Sequence, residues 1–294
     1  MDHRTFVAGM EGAVKAALME RSDRAGLLHL AGHLGAIAVC SALILAGVPG
    51  WWVAVPVQGV LVVFLFTLEH EATHKTPFAS ERLNEAVGRA AGLLLVLPFE
   101  WFRYFHLAHH RWTNIEGQDP ELEGGKPQTR ARWLWHVTGL PYWISAARLM
   151  VRLCLGQTEE AWMPAAAKAR AAREARMMAA VYAAVALSFA WTDAAFWLWI
   201  LPVLVGQPVL RIYLLAEHGD CPLVADMFRN TRTTFTTRIV RFVAWNMPYH
   251  VEHHVLPQVP FYRLPALHGL MKAELAVTAE GYAAFTAEYL ARRL

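Results

Sequence analysis

The sequence predicts an all-α integral membrane protein, with four transmembrane helices and a cytoplasmic helical cap. Three observations lead there. Composition is apolar: 56% hydrophobic residues, 12 Trp and 14 Phe, with only 17% charged, where a soluble domain carries about 25%; mean hydropathy is +0.28. Lysine and arginine are absent from two long stretches, 25–74 and 177–210. The apolar runs inside those stretches are long enough for helical crossings of about 20 residues each. The chain is read as a single domain, 1–294.

In chain order, residues 4–20 put Phe6, Met10, Val14, Ala17 and Leu18 on one stripe, with Arg4, Glu11 and Lys15 opposite. This is an amphipathic helix suited either to a membrane surface or to ordinary packing. Nothing in the first residues has the apolar core and small-residue cleavage site of a signal peptide. From Ala25 to Thr73 two spans fit, about 27–46 and 51–69. They are divided at Gly47-Val-Pro-Gly50, where glycine and proline favour a turn, and Trp51 and Trp52 follow as aromatic interface anchors.

The region 75–176 is rich in arginine. Its apolar segments 86–102 and 133–155 are interrupted by Pro98, Pro141, Arg148 and Arg152, which suits helices dipping into the interface better than crossings. Pro164 then opens an alanine-rich helical stretch. Two further spans follow, about 177–191 and 194–214, joined at Thr192-Asp193. In the polar C-terminal segment Tyr282, Phe285 and Tyr289 fall on one helix face. The lysines and arginines all lie on one side of this arrangement, and the positive-inside rule makes that side cytoplasmic. The cap then comprises 70–176 and 216–294.

Histidine carries the chemistry. Of 14 in the chain, eight fall in three clusters: His70 and His74; His106, His109 and His110; His250, His253 and His254. The spacings i, i+3 and i+4 put each cluster on one helix face. His218, below the last span, brings the number to nine, all on the same predicted side. One ion cannot take nine imidazoles, since zinc binds roughly three or four ligands and octahedral metals six. Two metals would take four or five each. Imidazole suits iron, copper, zinc and nickel alike. His3, His29, His33, His136 and His268 are read as structural.

Three cysteines, Cys40, Cys154 and Cys221, show no metal-site spacing, which argues against a thiolate zinc site, an iron–sulfur cluster or a disulfide framework. His70-Glu-Ala-Thr-His74 matches the HExxH signature of zinc proteases, but that reading leaves the other clusters idle. The carboxylate di-iron bundle needs two Glu-x-x-His pairs; among the clustered histidines only Glu71–His74 has that spacing. Glu71, Glu217, Asp220 and Glu252 adjoin clustered histidines and are candidates to accept a second ring N–H.

The set HxxxH, HxxHH, HxxHH with a separate histidine resembles the membrane fatty acid desaturase and hydroxylase superfamily. The order of spans and clusters matches too. Arg111-Trp-Thr113 followed by Asp119-Pro120-Glu121, the run at 230–233, and Trp245-Asn-Met-Pro-Tyr249 resemble a bacterial group that includes dihydrorhizobitoxine desaturase.

The resemblance implies two irons, held by His70, His74, His106, His109, His110, His218, His250, His253 and His254, with dioxygen as co-substrate. It also implies oxidation of a fatty acyl or lipid-like chain, most simply desaturation, with hydroxylation as the alternative on the same scaffold. A non-catalytic membrane metal-binding protein is the alternative from another class. Acyl-CoA desaturases place a water-holding asparagine four residues before the separate histidine. Here that position is Leu214, and Asn246, four before His250, is the candidate substitute.

The chain has no heme-attachment motif and no dinucleotide fingerprint. An external donor is therefore expected, such as a ferredoxin, a rubredoxin or a cytochrome b5-like protein, with cytoplasmic arginines suited to an acidic surface. The expected location is a bacterial inner membrane with the site on the cytoplasmic side. No nucleic-acid partner is expected.

Overall fold

The computed structural model describes residues 1–293; Leu294, the last residue of the expected cap, lies outside the described residues. The fold is mostly helical. The N-terminal stretch forms two short helices rather than one, α1 (His3–Gly9) and α2 (Gly12–Leu18). The break lies between Gly9 and Gly12, and glycine is a poor helix former.

Helix α3 (Asp23–Ala46) starts on the Ser22 side chain, which accepts a bond from the Ala25 amide, and ends on Gly47 at φ 58°. Its 24 residues span ~36 Å, enough for a bilayer core of about 30 Å. Beyond the glycine turn, a helix runs from Trp51 to Thr73, longer than the expected 51–69. It comprises a 3₁₀ turn and then α4 (Ala54–Val63) and α5 (Leu65–Thr73). The two meet at Phe64, whose carbonyl accepts the Thr67 hydroxyl at 2.8 Å; such back-bonding bends a helix.

The cap follows. Helix α6 (Glu81–Leu95) begins on Ser80 and stops at Val96, φ 58°. Helix α7 (Phe99–Trp112) starts after Pro98. Helices α8 (Arg130–Val137) and α9 (Leu140–Cys154) are separated by Gly139 at φ 73°. Leu134, Trp135, Ile144, Val151 and Leu155 leave an apolar strip on this pair exposed.

Helix α10 (Ala165–Ser188) contains the third expected span only in its second half. Its first half carries Lys168, Arg170, Arg173, Glu174 and Arg176 and packs on the cap. Ala167, Ala171 and Ala175 are fully buried, Glu174 accepts the Glu100 amide at 2.7 Å, and Arg170 pairs with Glu100 at 2.7 Å. Among the described residues three helical segments are long and apolar enough to cross a membrane: Gly12–Ala46, which takes in α2 and α3, Trp51–Thr73 and Phe196–His218.

The last of these opens with a π-helical turn, Phe196–Ile200, and continues as α11 (Leu201–His218). Helices α4 and α11 form the most extensive pairing in the fold. Gly59 and Gly206 make it possible: a Cβ at Gly59 would meet the Pro202 carbonyl oxygen at 2.3 Å, and one at Gly206 would meet the Gly59 carbonyl oxygen at 2.3 Å. Small residues let membrane helices approach this closely, and here they bring the ends of α5 and α11 together.

The remaining chain closes over those ends. It contains α12 (Met227–Asn230), α13 (Arg238–Val243), α14 (His250–Val255), α15 (Leu264–Met271) and α16 (Tyr282–Arg293). Two two-residue strands, β1 (Thr233–Thr234) and β2 (Thr278–Ala279), pair in parallel. As expected, Phe285 and Tyr289 are the buried face of α16.

Candidate metal centre

Helix geometry puts all nine histidines in one place. His70 lies on α5 and His74 is its C-cap; His106, His109 and His110 share one face of α7; His218 ends α11; His250, His253 and His254 lie on α14, which is buried throughout. Seven of the nine are buried, His253 completely, while His74 and His110 are half-buried.

They divide into two sets. Ligating atoms of His70, His106, His110 and His253 all lie within 4.8 Å of one another, as do those of His109, His218 and His254. His74 joins the first set, its Nε2 2.9 Å from that of His106. His250 joins the second, its Nε2 3.1 Å from that of His218. The sets thus number five and four.

The contacts within them identify what they fit. Nε2 faces Nε2 at 2.9 Å (His74–His106), 3.1 Å (His110–His253 and His218–His250) and 3.2 Å (His109–His218). Burial, followed by the mutual repulsion of the rings, holds His106, His110, His253 and His254 well below the ordinary histidine range, and His74 at about 3. Neutral rings crowded this way point lone pairs at one another. Two nitrogens bonded at about 2.1 Å to one metal stand ~3.0 Å apart at a right angle and ~3.4 Å at the tetrahedral angle. The spacings fit shared cations, and they also fall in the range of an N–H···N bond between rings.

Hydrogen bonds on the opposite ring nitrogens distinguish the sets. His109 Nδ1 lies 2.9 Å from Asp119 Oδ1. Asp119 is itself fixed by the amides of Asn114 at 2.7 Å and Glu121 at 2.9 Å. His218 Nδ1 donates to the Asn230 carbonyl at 3.1 Å, and Asn230 is locked by its side-chain bonds to the Thr113 and Val224 carbonyls. His254 Nδ1 is 3.2 Å from the Thr113 hydroxyl, which donates to the His109 carbonyl. Each contact puts the proton on Nδ1 and leaves Nε2 free as a donor to metal. In the five-histidine set the Nδ1 atoms of His70 and His253 are buried without a hydrogen-bond partner, as is that of His250 in the four-histidine set.

The expected supporting acids fare unequally. Glu71 Oε1 is 3.2 Å from His253 Nδ1 but off the hydrogen-bond line; its other oxygen accepts from the Thr76 hydroxyl and the Phe261 amide. Those bonds, and seven further histidines around His70 and His74, do not suit the zinc-protease reading. Glu217 Oε1 is 3.4 Å from His250 Nδ1.

Three placements differ from expectation. Glu252 turns away from the rings and binds His268 Nδ1 at 2.5 Å and the Thr233 hydroxyl at 2.6 Å, fastening α14 to α15 and β1. Asp220, at φ 58°, pairs with Arg293 in a polar crevice of about 670 Å³ that reaches His218 from outside. Asn246, also at φ 58°, gives its amide to the Phe261 carbonyl at 3.0 Å.

Glu121 is an addition. The 3₁₀ turn Pro120–Leu122 brings its Oε2 to 3.4 Å from His109 Nε2, with Lys126 on Oε1 at 2.6 Å. One turn therefore engages both nitrogens of His109. Burial opposes the charge on Glu121, but Lys126 and then His109 outweigh burial and keep the carboxyl well below its usual range. A proton on Nε2 or a metal cation between the two would make this approach of carboxylate and ring favourable.

Beside the rings lies a cavity of about 580 Å³. Phe66, Leu97, Trp101, Phe102, Phe105 and Leu149 form its apolar wall, and His70, His106, His109 and His250 stand at the metal end.

Membrane helices ending in two convergent imidazole sets beside an apolar cavity define a membrane enzyme with histidine metal-binding clusters. Residues 47–286 match the family described as fatty acid desaturase, and the chain belongs to that family. It is 22% identical over 265 residues to an sn-1 oleoyl-lipid 12-desaturase of Picosynechococcus sp., covering 81% of this chain and 75% of that protein. It is 27% identical over 206 residues to a sphingolipid delta(4)-desaturase/C4-monooxygenase of Mus musculus, covering 67% and 58%. It is 23% identical over 239 residues to a chloroplastic omega-6 fatty acid desaturase of Arabidopsis thaliana, covering 71% and 50%. The chain thus spans between half and three quarters of the length of these relatives.

Proposed function

We propose that the chain binds two irons and, with dioxygen as co-substrate, desaturates a fatty acyl or lipid-like chain lying in the 580 Å³ cavity. The observation that carries this is the set of ring nitrogens facing one another at metal-sharing distances at the end of an apolar cavity. One iron is assigned His70, His74, His106, His110 and His253; the other His109, His218, His250 and His254, with Glu121 as an anionic donor. So held, the pair would supply the oxidant for an unactivated C–H bond.

The rest falls to protein groups. Asp119, the Asn230 carbonyl and Thr113 hold three rings in the Nε2-donor tautomer. Phe66, Phe102 and Leu149 hold the substrate chain away from water. No cofactor-binding motif supplies electrons, so an external ferredoxin, rubredoxin or cytochrome b5-like donor is assigned that role.

The lysine and arginine distribution supports four crossings of a bacterial inner membrane within a single domain. The third crossing in chain order is assigned to α10, whose 24 residues reach ~36 Å only with the charged first half included, and both termini and the metal centre are assigned to the cytoplasmic side. The runs at 230–233 and 245–249 support a place in the dihydrorhizobitoxine-desaturase-like group. Hydroxylation is the second reading, favoured by the mouse relative's combined desaturase and monooxygenase name.

Metal analysis of purified protein, with lipid and small-metabolite profiling of cells with and without the gene, tests all of this. Two irons per chain and a product two hydrogens lighter are expected. A product heavier by one oxygen shifts the reading to hydroxylation, and a single zinc sinks it.

A further inference from the structure

Resting on the desaturase reading, we propose that the substrate carries a free carboxylate, and that Arg211 binds it inside the cavity. Apart from Glu217, Arg211 is the one charged side chain on the helix Phe196–His218. Ionisable groups on such helices are costly, and they mark substrate or ion paths. Arg211 lines the same cavity as the metal-end histidines.

Two of the cavity's other cations are paired. Lys126 is held by Glu121 at 2.6 Å and Arg152 by Glu160 at 2.6 Å. Arg148 stands exposed on the same wall. Glu121, Glu123 and Glu217 also line the cavity, yet among the described residues no carboxylate lies within ion-pair distance of Arg211, and its buried Nε has no acceptor. Its guanidinium lies over the Tyr142 ring, 4.7 Å from the centroid. Tyr142 is itself anchored through its hydroxyl to the Leu95 carbonyl at 2.6 Å. Stacking occupies the guanidinium face and leaves the in-plane N–H fork for an acceptor, the geometry that takes a carboxylate in two parallel bonds.

Position sets how far from the carboxylate the oxidised carbons lie. Arg211 and His218 are seven residues apart, nearly two turns, so they share a face of α11 about 10 Å apart along its axis. Leu214 and Leu215, between them, line the cavity. A carboxylate on Arg211 therefore leaves about 10 Å of apolar chain before the metal end. That describes a carboxylic acid entering carboxylate first, and not a lipid whose head group stays at the membrane surface.

The test is equilibrium dialysis of radiolabelled octanoate against the metal-loaded protein in nanodiscs, with empty nanodiscs as background. Methyl octanoate and octyl phosphate serve as competitors. Saturable octanoate binding is expected, with the methyl ester a poor competitor. Arg211→Leu should weaken octanoate by at least about tenfold, as loss of a charge-assisted pair does, Arg211→Lys should restore part of it, and the ester's affinity should not change.

Equal competition by ester and acid in the unmutated protein overturns the proposal, and needs no variant that must fold. So does tighter binding of octyl phosphate, which would assign a phosphate head group, or unchanged octanoate binding in an Arg211→Leu protein of normal thermal stability. Two irons and desaturated membrane lipids without octanoate binding would remove this inference alone. Arg211-dependent octanoate binding by a protein that holds no iron would keep it and remove the desaturase reading.

Discussion

The four-histidine and five-histidine sets are supported from behind to different degrees. The smaller is secured from behind: Asp119, the Asn230 carbonyl and the Thr113 hydroxyl each take an Nδ1. In the larger, the Nδ1 atoms of His70 and His253 are buried and unpartnered, with Glu71 only near His253; in the smaller, only His250 is in that state, with Glu217 near it. With Glu121 counted, each metal would have five donors, and the difference lies in how many rings are fixed from behind.

The sharpest break in that comparison removes one histidine from each side. His218→Ala leaves three histidines in the smaller set. We expect iron to fall from about two to about one per chain, because His218 is the ring whose Nε2 faces both His109 and His250, with desaturation lost. His74→Ala takes a half-buried ring from the end of α5 and leaves four. Both irons should remain after mild purification, with reduced but measurable turnover. Equal iron loss in the two variants would erase the distinction between the sets.

A smaller effect separates the supports. Asp119→Asn keeps the shape but loses the charge-assisted bond to His109, and should cost about 10–100-fold in metal affinity or turnover. Glu71→Gln should cost less, because Glu71 Oε1 is off the hydrogen-bond line of His253. Titration of iron into chelated protein measures both. A larger loss in Glu71→Gln than in Asp119→Asn would mean that the five-histidine set is the more dependent on its neighbours.

The two sets were also unequally legible in the sequence. Helical spacing gives the ring faces directly, so all nine histidines could be read as one group. The supports of the smaller set could not. Asp119 lies in a loop ten residues past His109, and its sole signal is the Asp-Pro-Glu run, which spacing does not connect to a ring. Asn230 acts through its carbonyl, which every residue has. Adjacency misled where the backbone turns: Asp220 and Asn246, both at φ 58°, point away from the histidines beside them in sequence. Glu252 lies on the same short helix as three of the histidines but on another face. The third expected crossing was harder to delimit because α10 serves two environments, its charged first half bound to Glu100 and its apolar second half beyond.

Glu252 allows the mildest test, because α14 supplies both sets: His253 to the larger, His250 and His254 to the smaller. Its carboxylate holds that helix through His268 and Thr233 and touches neither set. Glu252→Gln keeps an acceptor oxygen and loses the charge, so the loss should be of the order of a charge-assisted bond, about 1–3 kcal/mol. Thermal unfolding should therefore shift downward while iron content and turnover of the folded protein stay near normal. Because the anchor is common to both sets, any iron lost should be lost from both equally. Selective loss from one set would show that α14 is held differently under its two faces, and the contrast between the sets would then begin at the backbone and not at the hydrogen bonds behind the rings.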